Sequence, residues 1–354
     1  MLSKVGIPEL AVVFRNDVQP APISHTLRQV QPDSVLQGGW QVRGGGGVCS
    51  LGFPARRVSD HMSVFVTASH CTDVLDGDDV NGGVLQPGPG GNPAGDEVED
   101  REPWLCSGWS PHHCRNSDAA LIQALRPLDL GKIARTTEAV ECEECFPTVN
   151  VDDANPTLTV VGRLSYVIEN EMLYKIGRTT GWTYGVVEDT CTDHAFLNAW
   201  RLCSDRIDVR ADTGDSGGPV FSLSLPSYQA TLRGIVYARS CCIVNDSYMS
   251  NLGQIEADLG ALNVYDPGPP QVTINGPTVI PPGQYCTWNA TVSYGISPFT
   301  FQWSALFSGS GQSVSGVPSG SGWLTVQVTD WDGRQDTENM YVTVQGQGPP
   351  MCDP

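Results

Sequence analysis

A serine enclosed by glycines, Gly214-Asp215-Ser216-Gly217-Gly218-Pro219, limits more than any other feature what this chain can fold into. Glycine reaches backbone dihedrals closed to other residues, so such a loop can turn several N–H groups toward one point. Thr67-Ala68-Ser69-His70-Cys71 lies upstream, and Ser117-Asp118-Ala119-Ala120-Leu121-Ile122 lies between the two. A serine hydroxyl is a poor nucleophile at neutral pH. It needs a base within hydrogen-bond reach, and the base needs a carboxylate that holds its tautomer and stabilises its charged form. His70, Asp118 and Ser216 supply those three roles. Singly, they read as a buried histidine, a capping aspartate and a turn serine. Together, in this order and with these flanks, they read as one catalytic constellation.

Composition sets the background. At 354 residues the chain has room for about two domains. A hydrophobic fraction of 40% supports a sizeable core, and 39 glycines with 26 prolines favour short strands over long helices. A net charge of -19 is the opposite of a nucleic-acid footprint, which needs clustered Lys and Arg, and no nucleic-acid partner is expected. No run of 18 apolar residues exists, so no membrane-inserting helix is expected. Twelve cysteines, several in close pairs such as Cys49/Cys71, Cys106/Cys114 and Cys191/Cys203, point to disulfides and an oxidising, extracellular or periplasmic location. The N-terminus shows no signal peptide, because the apolar stretch after Lys4 is broken by Pro8, Glu9 and Arg15. Cys142-Glu143-Glu144-Cys145 has the spacing of half a zinc site, but Cys241-Cys242 does not supply the other half, and no metal site is expected there.

The pattern divides the chain into an N-terminal extension (1–35), a catalytic unit (36–264), a stiff Pro/Gly linker (265–270) and a second β domain (271–354). Val64-Phe65-Val66-Thr67, Leu158-Thr159-Val160-Val161 and Leu232-Arg233-Gly234-Ile235-Val236-Tyr237 read as strands. Leu252, Ile255, Leu259 and Leu262 recur on one helical face. Beyond the linker, Phe299, Phe301 and Trp303 alternate with polar residues, as do Leu324, Val326 and Val328, and then Val342 and Val344. Short alternating strands of this kind predict an antiparallel β-sandwich. Cys286 and Cys352 are its only cysteines and are expected to pair.

The constellation resembles that of trypsin/chymotrypsin-like serine proteases, whose chain order His, Asp, Ser it shares. Leu36-Gln37-Gly38-Gly39, Cys49-Ser50-Leu51-Gly52-Phe53 and Gly177-Arg178-Thr179-Thr180-Gly181-Trp182 resemble the bacterial streptogrisin and α-lytic-protease branch. The resemblance covers most of residues 36–264, with 72–104 and 139–156 read as insertions. It implies a double antiparallel β-barrel closed by a C-terminal helix, and a secreted serine endopeptidase acting on polypeptides without a cofactor. It also implies oxyanion-hole donors at the N–H groups of Gly214 and Ser216, and an Arg178–Asp215 ion pair that holds the nucleophile loop. Cys49–Cys71 would brace the histidine and Cys191–Cys203 a loop before the nucleophile. The cysteine that the family often carries four residues before the serine is replaced by Asp212. Cys142, Cys145, Cys241 and Cys242 have no assigned partners. Around Tyr285-Cys286-Thr287-Trp288 and Phe301-Gln302-Trp303, the C-terminal segment resembles immunoglobulin/PKD-like modules of exoenzymes, which implies binding to a surface or to substrate.

The resemblance also locates a substrate pocket. Arg210 falls at its floor, and Tyr237 and Arg239 on its wall. With no aspartate at the floor, cutting after Lys or Arg is disfavoured, while two arginines would favour an acidic residue before the scissile bond. The alternative is that both arginines point to solvent. Two further functional alternatives are a silent binding protein on a protease scaffold and a precursor that requires trimming of residues 1–35. Asp73, Asp76, Asp78, Asp79 and Asn81 make an oxygen-rich loop that could bind Ca2+, although the spacing is not that of an EF-hand. Asp330, Asp332 and Asp336 surround Gly333 as hairpin-turn residues.

Overall fold

The computed structural model describes residues 25–29, 35–75, 77, 83–88, 90–108, 111–141, 148–239, 246–346 and 352. The fold is mainly β, with two barrel-forming sheets and a further β domain. The run Val64-Phe65-Val66 forms the centre of the strand Ser63–Thr67 and has no solvent exposure. An uninterrupted short apolar run of this kind is what a strand covered on both faces requires.

That strand belongs to an eight-stranded sheet with all pairs antiparallel. Its order is Leu262–Asn263, Phe53–Arg57, Ser63–Thr67, Ala120–Ala124, Asn92–Glu99, Gly83–Gln86, Gln41–Gly44 and Gly47–Ser50. The segment 72–104 is therefore not an insertion: Gly83–Gln86 and Asn92–Glu99 are integral to this sheet. In register, Ala120 faces Thr67, which brings the segment after Asp118 alongside the segment before His70.

The second sheet has twelve strands. At its centre are Thr157–Arg163, Gln229–Arg239, Pro219–Ser224, Met172–Gly177, Gly181–Phe196 and Ala199–Asp208. It is not wholly antiparallel. Leu36–Gly38 with Leu128–Ala134, Ala139–Val140 with Gly181–Phe196, Thr157–Arg163 with Gln229–Arg239, and His113–Arg115 with Ala199–Asp208 all run parallel. Three of these four pairings bring in short strands from the periphery of the sheet. The long hairpin of Gly181–Phe196 and Ala199–Asp208 is bridged by Cys191–Cys203. Leu27, fully buried in the main core, and the Val151 N–H bond to the His25 carbonyl (2.7 Å) tie residues 25–29 to the two barrels.

Among the described residues the one α-helix is Leu252–Leu259. Asn251 opens it with a capping box: its side chain accepts from the Gln254 N–H (3.1 Å), and the Gln254 side chain accepts from the Asn251 N–H (2.7 Å). Gly260 closes it at φ +81°. Leu252, Ile255 and Leu259 bury its apolar face as the spacing predicts, while Leu262 continues the burial from a strand.

Residues 271–344 form a three-stranded and a four-stranded sheet packed over a common core. Trp288 and Trp303 are fully buried there, and each indole N–H has a partner: the Pro277 carbonyl at 3.0 Å and the Gly311 carbonyl at 2.8 Å. Cys286 and Cys352 are joined. The domain touches the first barrel through Arg56–Asp332 (2.5 Å) and a stacked His61–Trp331 pair (4.1 Å between centroids), and Arg334 donates to Asp266 in the linker. Among the described residues, no helix is long and apolar enough to cross a membrane.

Candidate active site

His70 lies in a short 3-10 turn, Ser69–Cys71, and Cys71 is joined to Cys49. The turn is held from below: the Ser69 hydroxyl donates to Asp100 (2.7 Å) and accepts from Arg115 (2.9 Å), which also pairs with Asp100 at 2.6 Å. His70 Nδ1 lies 2.5 Å from Asp118 Oδ2. Cys49, His70 and Cys71 are the one cluster of metal-type ligands among the described residues, but both sulfurs are consumed in the disulfide.

Asp118 has no solvent exposure, and its position is over-determined. Asp258, near the end of the helix, accepts from the Ser117 N–H (2.8 Å), the Ser117 hydroxyl (2.7 Å) and the Asn116 amide (2.7 Å). The Asp118 N–H donates to the Ser250 hydroxyl (3.0 Å). Arg201, also fully buried, donates from Nη2 to Asp118 Oδ1 at 2.8 Å. Burial alone would raise the Asp118 carboxyl. His70 and Arg201 outweigh it and hold the group well below the usual carboxylate range.

Ser216 sits on a loop in which two glycines are required. Gly214 (φ +97°) and Gly217 (φ +84°) are in the left-handed region, and a Cβ on Gly217 would lie 2.4 Å from the Ser50 carbonyl. Ser50 staples the loop to the first barrel: its N–H donates to the Ser216 carbonyl (2.8 Å) and its hydroxyl to the Gly214 carbonyl (2.9 Å). The N–H groups of Gly214 and Ser216 are not given to another backbone carbonyl among the described residues. The Ser216 hydroxyl donates to the Tyr237 carbonyl at 3.4 Å.

The Arg178–Asp215 ion pair is not formed. Lys175, fully buried on Met172–Gly177, places Nζ 3.2 Å from Asp215 Oδ2. The same carboxylate accepts from the Thr180 hydroxyl (2.6 Å) and from the N–H groups of Thr179 (2.8 Å), Thr180 (3.1 Å) and Asp212 (2.9 Å). Burial would raise Asp215, but Lys175 and these donors lower it instead. The Arg178 guanidinium turns away to Gln41 (2.8 Å) and the Thr179 hydroxyl (3.1 Å), because the strand register brings Lys175, not Arg178, to the carboxylate. Arg28 braces the outside of this loop by donating to the Arg178 and Thr179 carbonyls.

His70 and Ser216 line one cleft of about 260 Å³, together with Phe196, Asp212, Tyr237 and Arg239. Arg210, expected at its floor, is not among the lining residues; its carbonyl accepts from the Thr183 hydroxyl at 2.8 Å. Arg239 is at the rim, about half exposed, 3.3 Å from Asp212. Tyr237 is buried, and its hydroxyl donates to Ser204 (2.8 Å) with His194 Nδ1 at 3.1 Å on its other side. The pairs Cys49–Cys71, Cys106–Cys114, Cys191–Cys203 and Cys286–Cys352 are formed. Cys142, Cys145, Cys241, Cys242, Asp76, Asp78, Asp79 and Asn81 lie outside the described residues.

The chain matches no known family profile, and no curated protein is similar to it in sequence. Solved structures similar to it in shape are bacterial serine proteases. Nocardiopsis protease is 21% identical with a TM-score of 0.45, covering 65% of this chain and 98% of its own. A glutamic acid specific serine protease is 20% identical at 0.45, covering 65% and 100%. An alpha-lytic protease homologue, N4, is 16% identical at 0.46, covering 65% and 100%. The chemistry of this cleft has to be derived from its own residues.

Three contributors escape a reading of motifs: Lys175, Arg201 and Asp258. Lys175 leaves a signal in the sequence, as a lone cation within the strand Met172-Leu173-Tyr174-Lys175-Ile176. Arg201 and Asp258 act across 83 and 141 positions, on Asp118 and Ser117, and leave no local trace. Ser50 lies within Cys49-Ser50-Leu51-Gly52-Phe53, but its bond to Gly214, 164 positions on, is not visible there.

Proposed function

We propose that the protein is a secreted serine endopeptidase that cleaves polypeptides through an acyl-enzyme. The observation that carries this reading is His70, held 2.5 Å from the buried Asp118 and opening onto the same cleft as a glycine-held Ser216. Ser216 attacks the scissile carbonyl while His70 takes its proton and later returns it to the leaving amine. Asp118 holds the tautomer and stabilises the imidazolium. The N–H groups of Gly214 and Ser216 meet the tetrahedral oxyanion, where each donor contributes about 3 kcal/mol. The Asp215–Lys175 pair keeps that loop in shape, so no newly cut N-terminus is needed. Arg239, at the rim, gives a preference for an acidic residue before the scissile bond by exchanging its partner Asp212 for the substrate carboxylate. Polypeptides with Glu, Phe and Lys at that position test this, and equal rates would end it.

The C-terminal domain holds the enzyme at a surface or at substrate. In support, Trp323 and Tyr341 form an exposed cross-strand pair (5.2 Å between centroids) whose neighbours on that sheet face are Thr325, Gln327 and Asn339. The disulfides fit an extracellular or periplasmic setting, and Ca2+ at the acidic loop around Asp73 remains a proposal that metal titration would test.

One observation favours a second reading, a catalytically silent scaffold: the Ser216 hydroxyl is bonded to the Tyr237 carbonyl. Productive chemistry requires it to rotate toward His70, a rearrangement common when no substrate is bound. Labelling with a fluorophosphonate, with Ser216→Ala as control, separates the two. Labelling that disappears in the variant supports the protease. No labelling of the native chain supports the silent scaffold. The precursor reading loses ground at residues 25–29, because Leu27 is part of the main core.

A further inference from the structure

Among the groups around His70, Arg201 is the one that triad chemistry does not call for. It is fully buried, and burying a guanidinium costs several kcal/mol of desolvation unless its partners are well placed. A neutral hydroxyl could orient the free oxygen of Asp118 at lower cost. Instead the chain carries a permanent cation to it on the strand Ala199–Asp208, whose Trp200 and Arg201 pair with Cys114 and Arg115 of the short strand His113–Arg115 that precedes Asp118. Arg201 also lies 5.8 Å from the ring centre of Phe196, which in turn meets His70 edge-on at 5.2 Å. The hairpin from the second sheet therefore reaches both the carboxylate and the imidazole of the candidate site.

We propose that Arg201 is a positioning residue that locks the Asp118 carboxylate toward His70 and, by sharing its negative charge, lets the site work at lower pH than Asp118 alone would allow. The inference rests on the hydrolase reading above. With Oδ1 held by Arg201 and Oδ2 by His70, the carboxylate cannot rotate about its last bond. A carboxylate already facing a cation also stabilises an imidazolium less than an unshared one, because the added positive charge opposes protonation of the base. The other charges near His70 are Arg239 and Asp212, which offset each other at the cleft rim, His194 beyond Phe196, and Asp100 beneath Ser69. Burial pushes the Asp100 carboxyl up to about 7 despite Arg115, so the limb shift is to be read both in Arg201→Met and in the same substitution on an Asp100→Asn background. Burial and the charge of Arg201 both push His194 down, in line with a field that extends across the hairpin.

The test is the pH dependence of kcat/KM, and of the fluorophosphonate labelling rate, in the full chain. Arg201→Met should move the acid limb to higher pH by about one unit and lower the plateau about 10²-fold through the released carboxylate. Arg201→Lys, which keeps the charge but not the planar fork, should keep the limb while losing part of the plateau. In an Asp118→Asn background, adding Arg201→Met should cause no further loss, because Arg201 acts through Asp118. A lowered plateau with an unmoved limb in Arg201→Met would reduce Arg201 to a structural latch and overturn the proposal. If Arg201→Met does not fold, the Asp118→Asn pair decides: a further loss there overturns it, and none supports it. A native chain that shows no Ser216-dependent labelling at any pH overturns the hydrolase reading first, and this inference with it.

Discussion

Asp215 stands next to the candidate nucleophile with both carboxylate oxygens occupied and Lys175 as its only charged hydrogen-bond partner among the described residues. Lys175→Met leaves that carboxylate buried without a counter-charge, which typically costs about 3–5 kcal/mol. It should also abolish fluorophosphonate labelling, because the loop carrying the Gly214 and Ser216 N–H groups would move. Arg178→Ala should leave labelling within a few-fold of the native rate. Urea unfolding and labelling of both variants check the assignment, and the reverse ranking would restore Arg178. The sequence made the wrong choice visible and the right one obscure, because Arg178 lies in a recognisable Gly-Arg-Thr-Thr-Gly motif while Lys175 is distinguished only by its register on a buried strand. Asp118 and Asp215 also fix the sign of the acid response. Both are lowered in the folded state, so their stabilisation is complete above the unfolded value of about 3.9 and is lost as pH falls below it. The urea midpoint should therefore drop on acidification below about pH 4, and Asp118→Asn should flatten that slope.

The elements around the site show where local pattern suffices and where it does not. The helix Leu252–Leu259 was legible from its apolar spacing, and the strands at 64–67, 158–161 and 232–237 from their β-branched runs. What the helix does for the site was not legible, because Asp258 reaches back 141 positions to Ser117. Two substitutions separate the roles of its ends. Asn251→Ala removes the cap and should cost about 1 kcal/mol of stability with kcat unchanged. Asp258→Ala deprives the buried Ser117 N–H and hydroxyl of their acceptor, at about 1–3 kcal/mol, and should lower kcat as well, since Asp118 follows Ser117. Equal kcat in the two variants would mean that Asp118 is held well enough by Ser250, His70 and Arg201. The expected insertion at 72–104 failed for a related reason: strands as short as Gly83–Gln86 carry too little alternation to be seen, yet the register of the first barrel depends on them.

On the scale of the whole molecule, charged residues are distributed unevenly. Beyond residue 270 only Asp330, Asp332, Arg334, Asp336, Glu338 and Asp353 are charged, a net charge of -4 out of the total of -19, so the C-terminal domain presents a surface sparse in charged groups. The C-terminal domain has its own core around Trp288, Trp303, Leu324, Val326 and Val328, and its own disulfide. It meets the first barrel through polar and stacked side chains at 331–332, and its 292–299 side shares a pocket with the strand Thr157–Arg163 and the linker. Two cores that share no buried residue should unfold separately, because cooperativity follows shared burial. Trp303→Ala tests this. Truncating a fully buried tryptophan costs about 3–5 kcal/mol, enough to unfold a small domain of marginal stability, and the loss should stay within residues 271–354. Hydrolysis of a short peptide should persist, because His70, Asp118, Ser216 and the residues that hold them all lie before the linker. Capture of the enzyme on an insoluble protein substrate should be lost, because it would depend on the sheet face that carries Trp323 and Tyr341. If peptide hydrolysis disappeared together with the C-terminal fold, the Arg56–Asp332 and His61–Trp331 contacts would be part of one cooperative unit, and the second domain would support the first barrel as well as extend its reach.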